Sequence, residues 1–164
     1  MESTDCIFVA TGEVKAAAPP HYLIASGIGS CVVITAYNKS SKFGLMAHIM
    51  LPGRVYPHKL NYKNRYAFDA IDTLLQLIKA AGYQKEDFIF TLLGGANVIA
   101  NSACEVGRQN ILSIKKYLSQ KEIPIAAESL GGLLRRSTRL DLKQQVSYLS
   151  VGNEAESIFY DYNI

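Results

Sequence analysis

Short runs of apolar and β-branched residues dominate the first third of the chain, and they predict β-strands. Such runs cover residues 6–9, 22–25, 31–37 and 43–51. Turn-forming residues separate the last two runs, which therefore form a predicted β-hairpin. Two consecutive prolines predict a loop over residues 16–20, and residues 26–30 are expected to form a short flexible turn.

The middle of the chain shows the three-and-four spacing of amphipathic helices. This spacing predicts one helix over residues 65–81, where Gly82 follows at the position of a C-terminal cap. It predicts a second helix over residues 109–119. The apolar residues that we expect to face inward on the second helix are Ile111, Leu112, Ile114 and Leu118.

Further strand patterns complete the predicted fold. Apolar runs predict strands over residues 88–93 and 123–127, and alternation over 137–142 and 145–151 predicts a second hairpin. Strands thus outnumber helices, which favours an α+β fold, a layered α/β sandwich with mixed or antiparallel sheets. We expect one domain over residues 1–164, with its core in about 6–152 and a peripheral C-terminal end after Gly152.

Composition narrows the classes of function. The 164 residues carry a net charge of +3 and the basic residues are dispersed, so no nucleic-acid partner is expected. No apolar stretch reaches the length of a membrane span, and the N-terminus is acidic where a signal peptide would be basic. Three cysteines without a CxxC spacing and three histidines without close pairing predict neither disulfides nor a metal site. We therefore expect a cytoplasmic protein without membrane insertion.

One cysteine and one histidine in the first predicted hairpin form a candidate catalytic pair. If Lys39 and Ser40 make a two-residue loop, Cys31 lies directly opposite His48 on the same face of the hairpin. Directly opposed residues have Cβ atoms about 4.5–5.5 Å apart, which brings a thiol close to an imidazole. A three-residue loop would instead place the two side chains on opposite faces, unless a bulge restored the register.

This pair suits attack on an amide carbonyl. A nearby imidazolium lowers the pKa of a thiol, so the sequence predicts a reactive Cys31 with a depressed pKa. His48 can then protonate the departing amine, and water resolves the thioester without a cofactor. Gly27 and Gly29 permit backbone conformations closed to other residues, and N–H groups in the Gly29–Ser30–Cys31 segment could stabilise an oxyanion.

The plainer interpretation is a core cysteine beside a hydrogen-bonded core histidine. Two glycines next to Cys31 favour catalysis, because a packed core cysteine has no need of them. The interpretation as a packed core pair stays open on residue pattern alone.

Residues 27–33 (GIGSCVV) and 44–52 (GLMAHIMLP) together resemble the signature of the CheD family of chemoreceptor glutamine deamidases. Weaker agreements follow at residues 94–96 (GGA), 107–110 (GRQN) and 128–132 (ESLGG). The resemblance implies a fold similar to that of bacterial toxin-type cysteine deamidases, with Cys31 as nucleophile and His48 as base. It implies deamidation of glutamines on the cytoplasmic helices of chemoreceptors (methyl-accepting chemotaxis proteins), and a CheC-type phosphatase as partner.

The chain departs from the family pattern before the cysteine. The family commonly has a threonine six residues before the nucleophile, where this chain has Ala25, followed by Ser26. The third catalytic element is therefore open, with Ser26 as a candidate. Two other functions also stay open: a catalytically weak module that binds the phosphatase or receptors, and a cysteine amidohydrolase acting on an unrelated amide.

Overall fold

The structure, a computed structural model, describes residues 5–99 and 104–164. The acidic first residues 1–4, on which the signal-peptide prediction depends, lie outside this part. The described helices are α1 (Ala67–Ala80) and α2 (Val106–Gln120), with 3₁₀ segments at Pro57–Arg65 and Lys85–Asp87. The described strands are β1 (Cys6–Phe8), β2 (Val14–Ala17), β3 (Tyr22–Ile28), β4 (Val32–Asn38), β5 (Phe43–Ile49), β6 (Ile89–Gly94), β7 (Ile125–Leu130), β8 (Arg136–Asp141), β9 (Val146–Val151) and β10 (Ser157–Asp161).

The strands form two five-stranded sheets. Sheet I has the order β1-β3-β8-β9-β10, and sheet II has the order β2-β5-β4-β6-β7. Most neighbours run antiparallel, whereas the β1–β3 and β6–β7 pairs are parallel. Both sheets are therefore mixed, and the predicted α+β sandwich is confirmed.

Residue alternation along β4 explains how three layers pack together. Val32, Ile34 and Ala36 belong to a buried cluster that also contains the apolar faces of α1 and α2. Val33 and Tyr37 point the other way. They join a second cluster, built between the sheets, which includes Leu23, Ala25, Ile28, Met46, Leu93, Leu140, Leu142 and Tyr162. Sheet II is thus covered by helices on one face and by sheet I on the other, which explains the nearly continuous apolar sequence of β4.

The β4–β5 hairpin turns through four residues instead of two. Asn38 pairs with Phe43, so residues 39–42 form the turn. The Asn38 side-chain oxygen accepts hydrogen bonds from the backbone N–H groups of Ser40 (3.0 Å) and Ser41 (3.1 Å). This side-chain turn is a local alternative to a tight two-residue loop. The predicted loop of Lys39 and Ser40 alone is therefore wrong.

Several other boundaries differ from the sequence prediction. Ala16 and Ala17 belong to β2, an edge strand that ends before the two prolines. The predicted turn at residues 26–30 is partly strand, since β3 continues to Ile28 with an irregular register after Ala25. Leu112 is 57% exposed and does not face inward, because the buried face of α2 runs through Gly107, Asn110, Ile114, Tyr117 and Leu118.

The C-terminal end after Gly152 adds an edge strand to sheet I. Ser157–Asp161 forms β10 and pairs with β9 at the edge of sheet I. Tyr162 follows it into the cluster between the sheets, where it is 1% exposed and its ring lies 4.6 Å from that of Tyr37. Tyr162 thus holds an otherwise exposed or half-buried segment against the core.

No helix in the described ranges 5–99 and 104–164 is both long and apolar enough to span a membrane.

Candidate active site

Cys31 lies immediately before β4, at the end of the hairpin opposite the turn. It is half-buried and packs against the cluster between the two sheets. It shares this side with Val33, as expected of residues two apart in extended chain. Of the other two cysteines, Cys6 is half-buried and Cys104 is exposed.

His48 lies on β5 and faces the same side of sheet II as Cys31. The observed register pairs Val33 with His48 and Val32 with Ile49, so the pairing of Cys31 directly with His48 is wrong. The longer turn shifts the register by two residues, and a shift of two keeps each side chain on its face. Cys31 and His48 are therefore diagonal neighbours, a relation that still allows side chains to interact.

Backbone groups of the β1–β2 loop fix the position and tautomer of His48. The imidazole Nδ1 lies 3.0 Å from the carbonyl oxygen of Val9, and the residue is only 4% exposed. A carbonyl can only accept, so Nδ1 carries the hydrogen and Nε2 has the free lone pair. The loop also binds the main chain of His48. The N–H of Gly12 donates to the carbonyl oxygen of His48 (2.8 Å), and the N–H of His48 donates to the carbonyl oxygen of Glu13 (3.0 Å).

Burial sets the protonation of both groups. It raises the pKa of the Cys31 thiol, opposed by hydrogen bonds from Thr11 and from the cysteine's own N–H. Burial lowers the pKa of His48, opposed by the Val9 hydrogen bond and by the charge of Glu13. The expected depressed pKa of Cys31 is therefore wrong for the free protein, in which thiol and imidazole are both neutral at pH 7.

Thr11, in the β1–β2 loop, is a residue that the sequence did not reveal. Its side chain lies close to the Cys31 thiol and lowers the pKa of that thiol, against the effect of burial. Ala25, at the position of the family threonine, is 1% exposed and packs between the sheets. Ser26 is exposed and lines a cleft with Thr11 and His48, so it stays a candidate for the third element.

The loop before Cys31 is fixed through three successive carbonyls. Ala96 N–H donates to Gly29 O (2.9 Å), the Asn110 side chain to Ser30 O (2.9 Å), and Gly95 N–H to Cys31 O (2.7 Å). Gly27 has φ +64°, as its predicted freedom requires. Gly29 needs no such freedom, because its φ is not in the left-handed region and an added Cβ would make only ordinary contacts with Val98.

Replacing Thr11 by valine should slow alkylation of Cys31 by iodoacetamide at pH 7 about threefold. Valine keeps the shape but cannot donate to the thiolate, so the pKa of Cys31 rises further and less thiolate is present. Rates measured from pH 6 to 10 would show the shift. Thr73→Val, which removes a threonine hydroxyl on α1 that donates to Asn64 (2.7 Å), is the matched control. An equal effect of both changes would contradict a specific contact from Thr11.

Comparison with known proteins finds one family model and several relatives that carry the same family name. The sequence profile of the family described as CheD chemotactic sensory transduction matches residues 50–149. The chain is 34% identical over 159 residues to the "Probable chemoreceptor glutamine deamidase CheD" of Chlorobium luteolum, covering 97% of this chain and 79% of that protein. It is 33% identical over 133 residues to the "Chemoreceptor glutamine deamidase CheD" of Halalkalibacterium halodurans, covering 78% and 82% respectively. The protein of the same name from Bacillus subtilis is 29% identical, covering 95% of this chain and 98% of its own length.

Proposed function

The chain belongs to the CheD family, and on that premise we propose that it hydrolyses glutamine side chains of chemoreceptors to glutamate, with Cys31 as nucleophile and His48 as general base. The substrate class follows the names of the relatives. The assignment of the two residues rests on the geometry of the hairpin end.

The observation that carries the mechanism is the orientation of His48. Val9 accepts from Nδ1, so Nε2 is the nitrogen available to take a proton. His48 and Cys31 lie on the same side of sheet II. The half-buried thiol lies at the end of the β4–β5 hairpin opposite the turn. A base with a fixed tautomer beside a thiol is the arrangement that nucleophilic catalysis needs.

Deamidation begins from the neutral pair. His48 Nε2 takes the thiol proton while Sγ attacks the amide carbon, and the carbonyl oxygen becomes an oxyanion near the backbone N–H of Cys31. As the tetrahedral species collapses, imidazolium gives the proton to the amide nitrogen. The carbon–nitrogen bond breaks, ammonia leaves and a thioester remains.

Water completes the reaction. His48 takes a proton from water as its oxygen attacks the thioester carbonyl, which forms a second oxyanion. The carbon–sulfur bond then breaks, Cys31 recovers the proton from His48, and the side chain leaves as glutamate.

Mass spectrometry of a glutamine-containing receptor cytoplasmic fragment tests this function. We expect site-specific conversion of glutamine to glutamate with the wild-type protein, and none with Cys31→Ala. Cys104→Ala is the matched control, because it removes an exposed thiol and should leave conversion intact. Absence of conversion across several receptor fragments would contradict a deamidase and favour a module that only binds receptors.

The proposal extends to the setting of the reaction. Receptor glutamines on cytoplasmic helices require a cytoplasmic enzyme, and a CheC-type phosphatase is the proposed regulatory partner. Both follow from the resemblance of the GSC and MAH segments to the family signature.

A further inference from the structure

Asn110 is a buried polar residue on the otherwise apolar inner face of α2. It is 0% exposed and lies among Gly107, Ile114 and Leu118 on that face. A buried amide is costly unless its polar atoms find partners, so its contacts explain what it contributes.

The Asn110 side chain joins the two chain segments that continue from the catalytic hairpin. Its Nδ2 donates to the carbonyl oxygens of Ser30 (2.9 Å) and Met50 (3.0 Å). Two carbonyl acceptors identify this end of the amide as the nitrogen. Ser30 precedes the nucleophile, and Met50 lies opposite Cys31 when the β4–β5 register is continued by one residue. One side chain thus fixes the spacing of both segments beside the thiol.

The contact with Ser30 also orients the next peptide N–H. In a planar trans peptide, the carbonyl of Ser30 and the N–H of Cys31 point in opposite directions. Since Asn110 draws the carbonyl toward the helix layer, the N–H is directed toward the side that faces sheet I. The Cys31 side chain packs on that same side, against the cluster between the sheets.

We propose that Asn110 is a positioning residue for deamidation, which holds the Ser30–Cys31 peptide so that the Cys31 N–H faces the oxyanion. The inference rests on the function proposed above. The neighbouring carbonyls of Gly29 and Cys31 are bound by backbone N–H groups, whereas Ser30 depends on this side chain. Asn110 Oδ1 has no hydrogen-bond partner among the described residues, so only the donor half of the amide serves the structure.

Asn110→Ala should lower kcat for glutamine conversion about 100-fold and leave KM within about threefold, because an oxyanion donor acts in the transition state. Alkylation of Cys31 by iodoacetamide forms no oxyanion, so its rate from pH 6 to 10 should stay within about twofold of wild type. If Asn110→Ala impairs folding, Asn110→Leu, which has a similar volume, should give the same result: a lower kcat with an unchanged alkylation rate.

Leu118→Ala is the matched control on the same buried helix face. It should lower the urea midpoint yet retain the wild-type kcat in folded protein, because the Ser30 carbonyl is held by Asn110 and an apolar side chain cannot bind it. Wild-type kcat in both Asn110 variants, or a parallel fall in alkylation and kcat, would overturn the inference alone. A wild-type protein that alkylates at Cys31 but converts no glutamine would overturn the proposed function, and the inference with it.

Discussion

Replacing His48 by asparagine is expected to lower kcat/KM for glutamine conversion about 1,000-fold. The side-chain amide of asparagine can still donate to the Val9 carbonyl, which accepts from the imidazole Nδ1 in the wild-type protein. It has no basic nitrogen to accept the thiol proton, and without that transfer the neutral Cys31 is a weak nucleophile. The folded structure should therefore survive while the reaction nearly stops. Mass spectrometry of a receptor fragment, read at several enzyme concentrations, measures the change.

The pH dependence gives this prediction a second signature. His48 acts as a base only when neutral, so wild-type activity should fall as the pH drops through its pKa. Burial lowers that pKa, which places the acid limb of kcat/KM below the ordinary histidine value of about 6.5. His48→Asn should lack this limb. His21→Asn, which changes a histidine bonded to Ala18 at the start of β3, is the control and should keep wild-type kcat/KM and its limb. Activity of His48→Asn within threefold of wild type would exclude His48 as the base.

Replacing Gly94 by alanine should lower the free energy of unfolding by about 3 kcal/mol and also reduce the reactivity of Cys31. Gly94 has φ +118°, a conformation that residues with a Cβ rarely adopt. Its added Cβ would collide with the Cys31 carbonyl oxygen and approach Ile28 Cγ2 to 2.9 Å and Val32 Cα to 3.1 Å. Backbone atoms cannot swing aside as a flexible side chain can, so the nucleophile must move. Urea unfolding and iodoacetamide alkylation measure the two effects.

Gly82→Ala separates backbone strain from this collision. Gly82 follows α1 at φ +88°, and nothing lies within 4 Å of its added Cβ. We expect a loss of about 1 kcal/mol from conformation alone, with Cys31 alkylation unchanged. If Gly94→Ala were no more destabilising than Gly82→Ala and left Cys31 equally reactive, the packing of Gly94 against the nucleophile would not matter in solution.

The proposed mechanism differs from that of a thiol enzyme whose cysteine and histidine form an ion pair before substrate binds. Burial keeps thiol and imidazole neutral, so the proton moves during attack and no thiolate accumulates beforehand. Such an enzyme spares its thiol from adventitious oxidants, which react with the thiolate. In the proposed reaction, the energy of substrate binding would be available to bring the thiol and the imidazole into contact.

Sequence periodicity predicted the elements whose signal is local. The hairpin of β4 and β5, the helix α1 and the final β8–β9 hairpin appear close to their predicted positions, because alternation or three-and-four spacing depends only on which face is buried. The shared face of Cys31 and His48 was also predicted from spacing. This prediction is correct although the predicted turn length is wrong. The turn is two residues longer than predicted, and a shift of two residues leaves each side chain on the same face of a strand.

Residue spacing could not reveal the contacts that complete the site. Val9 and Thr11 reach the proposed catalytic pair from a loop about 20 to 40 residues away. Asn110 binds the flanking residues Ser30 and Met50 from a helix 79 residues beyond Cys31. Burial of the pair between two sheets sets its protonation, which reversed the expected pKa of Cys31. Such contacts leave no periodic pattern in the sequence, because they form only when separate layers of the fold pack together. The chain's residues thus indicated a candidate nucleophile and base, and the packing of the layers decided the tautomer of His48, the charge of both groups and the contacts around them.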